Sequence, residues 1–265
     1  MTGLLHLPDI LALLSGTAVG FSLGLIGGGG SILAVPLLIY VVGITDPHVA
    51  IGTSAAAVGA SALSNLVVHA RHRTVKWRCA IVFAAFGVVG AALGSTLGKL
   101  TDGDVLLALF GVAMVVVGAA MLRRRAGGDD PEVRLTRDTA LRLTPRLTAG
   151  GLAVGGLSGF FGIGGGFLVV PGLVVATAMP MLNAVGSSLV SVTAFGTTTA
   201  TNYALDGLID WRTFALFVTG GVAGGYAGAR LARYLGPQGM LKTVFSAIVI
   251  VVGLYVAGRG VTTLY

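Results

Sequence analysis

The sequence is poor in charged residues: among 265 residues there are only 17 Lys and Arg and 10 Asp and Glu. An ordinary soluble chain has roughly a quarter of its residues charged. The stretches 10–45, 79–98, 105–122 and 147–205 contain no Asp, Glu, Lys or Arg at all. This scarcity excludes a soluble enzyme domain. Segments of about 20 apolar residues, the length that crosses a hydrocarbon core, can instead account for most of the chain.

Residues that carry reaction chemistry are also scarce. The single cysteine, Cys79, excludes an internal disulfide, and nothing in the sequence resembles a metal-ligand cluster, so we expect neither a metal nor another cofactor. The string Gly156–Gly159 is similar to the Gly-x-Ser-Gly motif of intramembrane serine proteases. Such a nucleophile needs a base, and every histidine precedes Ser158 in the chain. The sequence therefore predicts no enzymatic activity.

Apolar runs separated by polar residues predict an all-α polytopic membrane protein. The predicted segments are 10–26, 31–44, 49–70, 79–98, 104–122, 148–161, 167–179, 184–205, 213–232 and 240–258. Three of them, 31–44, 148–161 and 167–179, are too short to span a bilayer straight. Glycine runs at 27–30 and 164–166 lie beside these short segments and are strong helix breakers.

An internal repeat divides the chain into two copies of one unit. A shift of 135 residues aligns Gly16, Gly20, Gly24, Gly27, Gly29, Gly30 and Pro36 with Gly151, Gly155, Gly159, Gly162, Gly164, Gly165 and Pro171. A shift of 134 aligns Ala50, Gly52, Thr53, Ser54 and Trp77 with Ala184, Gly186, Ser187, Ser188 and Trp211. Duplicated units of this kind are common in secondary transporters. We therefore expect an N-terminal repeat at 1–122, a linker at 123–147 and a C-terminal repeat at 148–265.

The distribution of basic residues predicts how the copies are oriented. If each copy has five segments, the second enters the bilayer from the opposite side to the first. With the linker cytoplasmic, 14 of the 17 Lys and Arg then lie inside, and only Lys99, Arg212 and Arg259 lie outside. This favours inverted repeats in the cell (inner) membrane, with both termini outside. In the alternative, each glycine-broken pair is one kinked span and the repeats are parallel, which places the basic stretch 71–78 outside.

The two glycine runs predict a substrate site. Non-helical backbone within a membrane is tolerated where it is buried in protein or lines a cavity. A glycine-lined break followed by a helix N-terminus presents N–H donors and a positive dipole end, which suits an anion. The alternative is close helix packing around small residues. That alternative is our interpretation of the glycines at spacing four, such as Gly16, Gly20 and Gly24.

Hydroxyl and amide side chains in the long segment that follows each run complete the predicted site. In such segments Ser and Thr also commonly bond to their own backbone or to a neighbouring helix, so that alternative stays open. A buried amide needs a partner, which makes an asparagine in the same segments a candidate to line the pathway. The predicted substrate-binding residues are Gly28, Gly29, Gly30, Ser31, Thr53, Ser54, Asn65, Gly164, Gly165, Gly166, Ser187, Ser188 and Asn202.

The doubled glycine motif, the prolines that follow it and the paired small-residue patches resemble the TauE/SafE family of membrane transporters, the sulfite exporters. The resemblance covers both repeats. It implies an inner-membrane carrier for a small anion such as sulfite, a sulfonate or a related organic anion, and it implies that the broken-helix glycines and the hydroxyl pairs form the site. The copies differ at Gly28 and Ser31, which align with Ile163 and Gly166, so the two half-sites are chemically unequal.

We therefore predict a secondary transporter that exports a small anion by alternating access. Its expected partners are the anionic substrate and the lipid bilayer, with no nucleic acid, and the sequence leaves a homo-oligomer open. A membrane-embedded accessory or assembly subunit with no transport activity of its own is the alternative.

Overall fold

The computed structural model describes residues 6–123, 137–164, 166–232 and 239–264. Within these ranges the chain is helical and contains no strand, which confirms the predicted all-α class. The first half contains α1 (Leu7–Ile26), α2 (Ala34–Leu37), α3 (Pro47–Arg71), α4 (Trp77–Leu100) and α5 (Gly103–Arg123). The second half contains α6 (Arg137–Phe161), α7 (Gly166–Thr177), α8 (Met181–Ala204), α9 (Trp211–Ala232) and α10 (Gly239–Leu264).

Four of the described helical stretches are long and apolar enough to cross a membrane. They are Leu7–Leu25, Pro47–Arg71, Trp77–Leu100 and Gly103–Ala120. Shorter apolar helices lie at Gly30–Val42, Gly166–Thr177 and Ala247–Arg259. The first two of these follow the glycine runs, where the sequence predicts segments too short to span.

Helix α6 begins earlier than the predicted segment at 148–161. Residues 137–147, predicted to belong to the linker, are helical, and 124–136 lie outside the described residues. The early turns are amphipathic: Leu143 and Leu147 are buried, whereas Arg142 and Arg146 are exposed. Each arginine directly precedes one of these leucines and therefore lies on another side of the helix. The buried pair at spacing four extends the helix beyond the fully apolar run. The division into two repeats and a cytoplasmic linker stays a prediction.

Glycine stripes hold two pairs of helices at backbone distance. A Cβ atom added at Gly20 of α1 would overlap the carbonyl oxygen of Gly221 in α9, and one added at Gly155 of α6 would overlap that of Gly87 in α4. Along each stripe the contact partners advance together in sequence, so α1 runs parallel to α9 and α4 runs parallel to α6. The glycines at spacing four are therefore packing faces, as the sequence predicts.

Two matched hydrogen bonds connect the copies. The Thr53 hydroxyl of α3 accepts the Asp210 N–H just before α9 at 2.9 Å, and the Ser187 hydroxyl of α8 accepts the Lys76 N–H just before α4 at 2.9 Å. Thr53 and Ser187 are equivalent under the repeat shift, and so are Lys76 and Asp210. Helix α3 thus holds the start of α9, and α8 holds the start of α4.

The helix directions define two ends of the molecule. Asp9 pairs with Arg212, and Thr53 lies beside Asp210, so α1, α3 and α9 begin at one end, which we call the N-terminal face. The end at which α5 stops and α6 starts is the linker face. Helix α5 begins beside Pro47, at the N-terminal face, and packs antiparallel to α10 through Gly111 and Gly253.

Helices α3 and α8 cross at the middle of the molecule. Gly196 of α8 lies so close to Gly59 of α3 that a Cβ at residue 196 would come within 2.8 Å of the Gly59 Cα and of the Ala55 carbonyl oxygen. Gly59 and Gly196 are each roughly halfway along their helices. This crossing is the scaffold on which the glycine breaks are placed.

Candidate functional site

The first glycine run forms the tight 3-10 turn Gly27–Leu33, which contains Gly28 and Gly29 and leads into α2 and a π turn at Leu38–Val42. Gly30 packs against α1, because its Cβ would lie 2.5 Å from the Leu23 amide nitrogen. Ser31 is fully buried. The turn also contacts α7 and α8 of the second copy. The predicted helix break therefore exists and lies between the copies.

The second glycine run reverses the chain between α6 and α7. Gly162 and Gly164 have φ values of +63° and +61°, the left-handed region in which glycine is favoured. The would-be Cβ of Gly162 overlaps Ile51 Cγ2 of α3, and that of Gly164 lies 3.0 Å from Val58 Cγ1 of α3 and 3.5 Å from Val192 Cγ1 of α8. Gly164 therefore sits against the α3–α8 crossing. Gly166 begins α7, and Gly165 lies outside the described residues.

Two buried hydroxyls on the helices that meet this break have no protein partner. Ser54 lies between Ile51 and Val58 on α3, and Ser191 directly precedes Val192 on α8. Both residues are 0% exposed, and neither hydroxyl has a hydrogen-bond partner among the described residues. Leaving a buried hydroxyl unpaired costs about 1–3 kcal/mol, and such groups in native structures call for an explanation. Ser54 was predicted from the sequence as a site residue.

Three of the other predicted hydroxyls, those of Thr53, Ser187 and Ser188, have structural partners. Thr53 and Ser187 hold the starts of α9 and α4 through the bonds described above. The Ser188 hydroxyl donates to the Val185 carbonyl oxygen of its own helix at 2.7 Å, so its single proton is already used. Ser54 and Ser188, equivalent under the repeat, therefore differ in what they can offer a ligand.

The two predicted amides lie away from the breaks. Asn65 is buried against Gly225 of α9 and donates to the Ser61 carbonyl oxygen at 3.2 Å. Asn202 donates to the hydroxyls of Ser95 and Thr96, at 2.7 and 3.1 Å, and so joins α8 to α4. Each amide has the partner that a buried amide requires, and the structure does not bring either of them to the glycine runs.

Two grooves lie on a different side of the α3–α8 pair from the breaks. One groove of about 680 Å³ is lined by threonines of α8, including Thr193 and Thr197, and a neighbouring groove of about 310 Å³ adds Ala56, Ala60 and Leu63 of α3. On a helix of 3.6 residues per turn these α3 residues point away from Ile51 and Val58. Thr193 and Thr197 bond to carbonyl oxygens of their own helix, at 2.8 Å each. The grooves are therefore lined mainly by apolar atoms.

Sequence reasoning missed some polar groups near the breaks. Ser191 is equivalent to Ala57, so a search for residues that match between the copies passes over it. Tyr203 of α8 is 0% exposed, its hydroxyl has no partner in the part of the chain that the structure describes, and its ring contacts that of His48. Both residues could have been proposed as site residues only once the contact between α3 and α8 was known.

Comparison with known proteins identifies the family of this chain. The family model described as "Sulfite exporter TauE/SafE" matches residues 12–256. A "Probable membrane transporter protein" of Xylella fastidiosa strain 9a5c is 51% identical over 94% of this chain and 95% of its own length. The "Probable membrane transporter protein YunE" of Bacillus subtilis strain 168 is 27% identical over 95% of this chain and 97% of its own length. No solved structure is significantly similar. The chain belongs to the sulfite exporter TauE/SafE family of membrane transporters.

Proposed function

We propose that this transporter carries a small oxyanion, such as sulfite, a sulfonate or a related organic anion, and that the anion binds where the glycine breaks meet the α3–α8 crossing. The observation that carries the proposal is the position of Gly164 between Val58 and Val192. Ser54, whose buried hydroxyl has no partner among the described residues, lies one helical turn before Val58 on α3. The break and the start of α7 thus lie near the middle of the molecule, against the helix that carries this donor.

The donors at this position suit an anion. The first N–H groups of α7, from Gly166 onward, have no acceptor within the helix, and the helix dipole places partial positive charge there. Ser54 and Ser191 add hydroxyl donors. The segments 10–45 and 147–205 contain no Lys or Arg, so no full positive charge from these segments adds to the binding. Neutral donors bind an anion less tightly than a buried cation does, which suits a ligand that must also be released.

We propose that the copies are inverted, with the linker face cytoplasmic and both termini outside. In support, α1 begins at the N-terminal face whereas α6 begins at the linker face, and the equivalent residues Trp77 and Trp211 are exposed at opposite ends, where membrane interfaces favour tryptophan. Two of the cations that this topology places outside are ion-paired: Lys99 with Asp206, and Arg212 with Asp9. Their charge is thus offset at the outer surface.

Transport from this site requires a change of conformation, because Ser31, Ser54 and Ser191 are all fully buried. Alternating access supplies such a change. The hydrogen bonds between helices described above join α3 to α9 and α4 to α8, whereas at their crossing α3 and α8 meet through Gly59 and Gly196. Close packing without directional bonds allows one helix to slide on another. We therefore propose that the site opens by movement at the α3–α8 contact.

The test is transport by the purified protein in liposomes, with sulfite, methanesulfonate and sulfoacetate as probes. We expect flux above that of protein-free liposomes for at least one probe, and a thermal shift with the same probe. Ser54→Ala should weaken that thermal shift and lower the flux, whereas the matched variant Ser188→Ala should retain both, because the Ser188 proton is already committed to Val185.

Two outcomes contradict the proposal. If no probe moves and none shifts the melting temperature, the protein has the accessory role that the sequence leaves as the alternative, or its substrate belongs to another class. If flux occurs but Ser54→Ala and Ser188→Ala behave alike, the anion does not bind at the Gly164 break.

A further inference from the structure

Buried polar groups without a partner are concentrated between the Gly162–Gly164 break and the N-terminal face. Among the described residues they include the hydroxyls of Ser54, Ser158, Thr199 and Tyr203 and the Nδ1 atom of His48. Two further unpaired hydroxyls lie elsewhere: Ser61 faces Gly221 of α9, and Ser191 lies at the level of the crossing. A cluster of this kind within an apolar protein is costly to maintain unless something hydrogen-bonds to it.

Some of these groups lie close together near the N-terminal face. The Tyr203 ring packs on Gly52 of α3 and contacts the His48 ring, with centroids 6.4 Å apart. The Tyr203 hydroxyl lies 3.2 Å from the would-be Cβ of Gly98 at the end of α4, a position that also meets the Phe160 carbonyl oxygen of α6. Ser54 and Ser158 lie on the same helices as Gly52 and Phe160, two residues away in sequence and on other sides of those helices.

The repeat provides an internal control. If the two copies are inverted, each of these residues has an equivalent in the other copy, and that equivalent lies in the half of the molecule nearer the linker face. The equivalents of Ser54, Ser158, Thr199, Tyr203 and His48 are Ser188, Leu23, Asn65, His69 and Leu182.

None of these equivalents leaves a polar side-chain atom without a partner. Ser188 donates to Val185, Asn65 donates to Ser61, and His69 Nδ1 lies 3.0 Å from the Thr74 hydroxyl. The remaining two equivalents are leucines. Of the seven buried side-chain atoms that lack a partner among the described residues, five belong to this set. The asymmetry therefore points to a ligand that passes through the half nearer the N-terminal face.

We propose that Ser54, Ser158, Thr199, Tyr203 and His48 line a polar route along which a small oxyanion moves between the central site and the N-terminal face. The four hydroxyls donate in turn to the anion and replace part of its hydration, and His48 stands at the outer end. The inference rests on the proposed function and deepens it, since it assigns the residues along which the anion leaves or reaches the site and the hydrogen bonds that assist it.

The first test compares stability with transport. Tyr203→Phe and Thr199→Val each delete one unpaired hydroxyl and change little else. Because a buried unpaired group is lost, we expect the melting temperature to stay the same or rise, while anion flux falls. The control Thr198→Val, one residue along α8, removes a hydroxyl that bonds to the Ala194 carbonyl oxygen at 2.8 Å. It should lower the melting temperature and retain the flux.

Flux equal to that of the wild type in both Tyr203→Phe and Thr199→Val overturns the route, whatever happens to the melting temperature. So does a flux loss that merely follows a loss of stability, since that is the signature of a structural role. Flux that is absent from the wild-type protein contradicts the proposed function instead, and the second test then decides on the route by itself.

The second test measures access without transport. In a Cys79→Ala background, Thr199→Cys and Ser158→Cys are exposed to a membrane-impermeant methanethiosulfonate that carries a sulfonate, applied in turn to each side of the membrane. Both should react from the side of the N-terminal face, and the equivalent variant Asn65→Cys should react more slowly from that side. Labelling of both route cysteines no faster than that of the buried Cys79 in the wild-type chain overturns the proposal.

Discussion

Replacing Gly164 by Ala tests the role of the second glycine break most sharply, because the chain supplies a matched control. Gly164 and Gly207 both have left-handed backbone, with φ values of +61° and +73°. A Cβ at Gly207 would meet nothing within 4 Å, whereas one at Gly164 would lie 3.0 Å from Val58 Cγ1. Gly207→Ala therefore isolates the backbone strain, and Gly164→Ala adds a clash at the proposed site.

The expected energies follow from these contacts. Left-handed backbone costs a non-glycine residue about 1–2 kcal/mol, which is the expected destabilisation by Gly207→Ala. Overpacking a buried position adds about 1–3 kcal/mol, and the low end applies to Gly164→Ala because Val58 needs to shift by only a few tenths of an ångström. Gly164→Ala should thus destabilise by about 2–3 kcal/mol, the sum of these two effects.

The assay combines thermal unfolding in detergent with anion flux in liposomes. We expect Gly207→Ala to retain wild-type flux and Gly164→Ala to lose it. Val58→Ala alone should destabilise, because Val58 is fully buried. In that background Gly164→Ala should cost only the backbone strain, so the two changes should be non-additive. Full flux in Gly164→Ala, or an equal flux loss in Gly207→Ala, would refute the reasoning.

Three further results are expected. Gly155→Ala should lower the melting temperature sharply, because its Cβ overlaps a backbone carbonyl of α4. The neighbouring Gly156→Ala should be tolerated, because its Cβ meets only one atom, at 3.8 Å. Equal melting temperatures of the two variants would contradict the packing of α4 and α6 through these glycines. Ser187→Ala should cost about 1 kcal/mol of stability, by loss of one hydrogen bond, and leave the anion-induced thermal shift unchanged; a lost shift would place Ser187 in the site. Alkaline phosphatase, which is active only outside the cytoplasm, should be active when fused after Tyr265 and inactive when fused after Gly128; the reverse pattern would contradict the proposed topology.

Much of the fold follows from the sequence because each feature has a local signal. Apolar runs predict the helices, and glycines at spacing four, such as Gly16 and Gly20, predict faces that pack closely. The start of α6 is less clear, because an arginine directly precedes each of the two buried leucines, Leu143 and Leu147, so the first turns resemble a solvated linker. Which helices pair is also hidden from a local pattern: α1 lies beside α9 and α4 beside α6, which depends on contacts between the copies.

The candidate site is predictable only in part. The glycine runs indicate where the helices break, and the repeat directs attention to Thr53, Ser54, Ser187 and Ser188. Their hydrogen bonds depend on which chain segment passes nearby, and the sequence does not contain that information. Thr53 and Ser187 hold helix starts of the other copy, and Ser188 bonds to its own helix. Only Ser54 of these four is left without a partner among the described residues.

Counterflow in liposomes tests most directly the central claim, that an anion is carried through the Gly164 break by alternating access. Liposomes containing the protein are loaded with unlabelled sulfite and diluted into a trace of radiolabelled sulfite. A carrier exchanges the two, so we predict that the label rises above its equilibrium level and then falls, and that Gly164→Ala abolishes this overshoot. Uptake that approaches equilibrium without an overshoot, or an overshoot that Gly164→Ala leaves intact, would contradict the account.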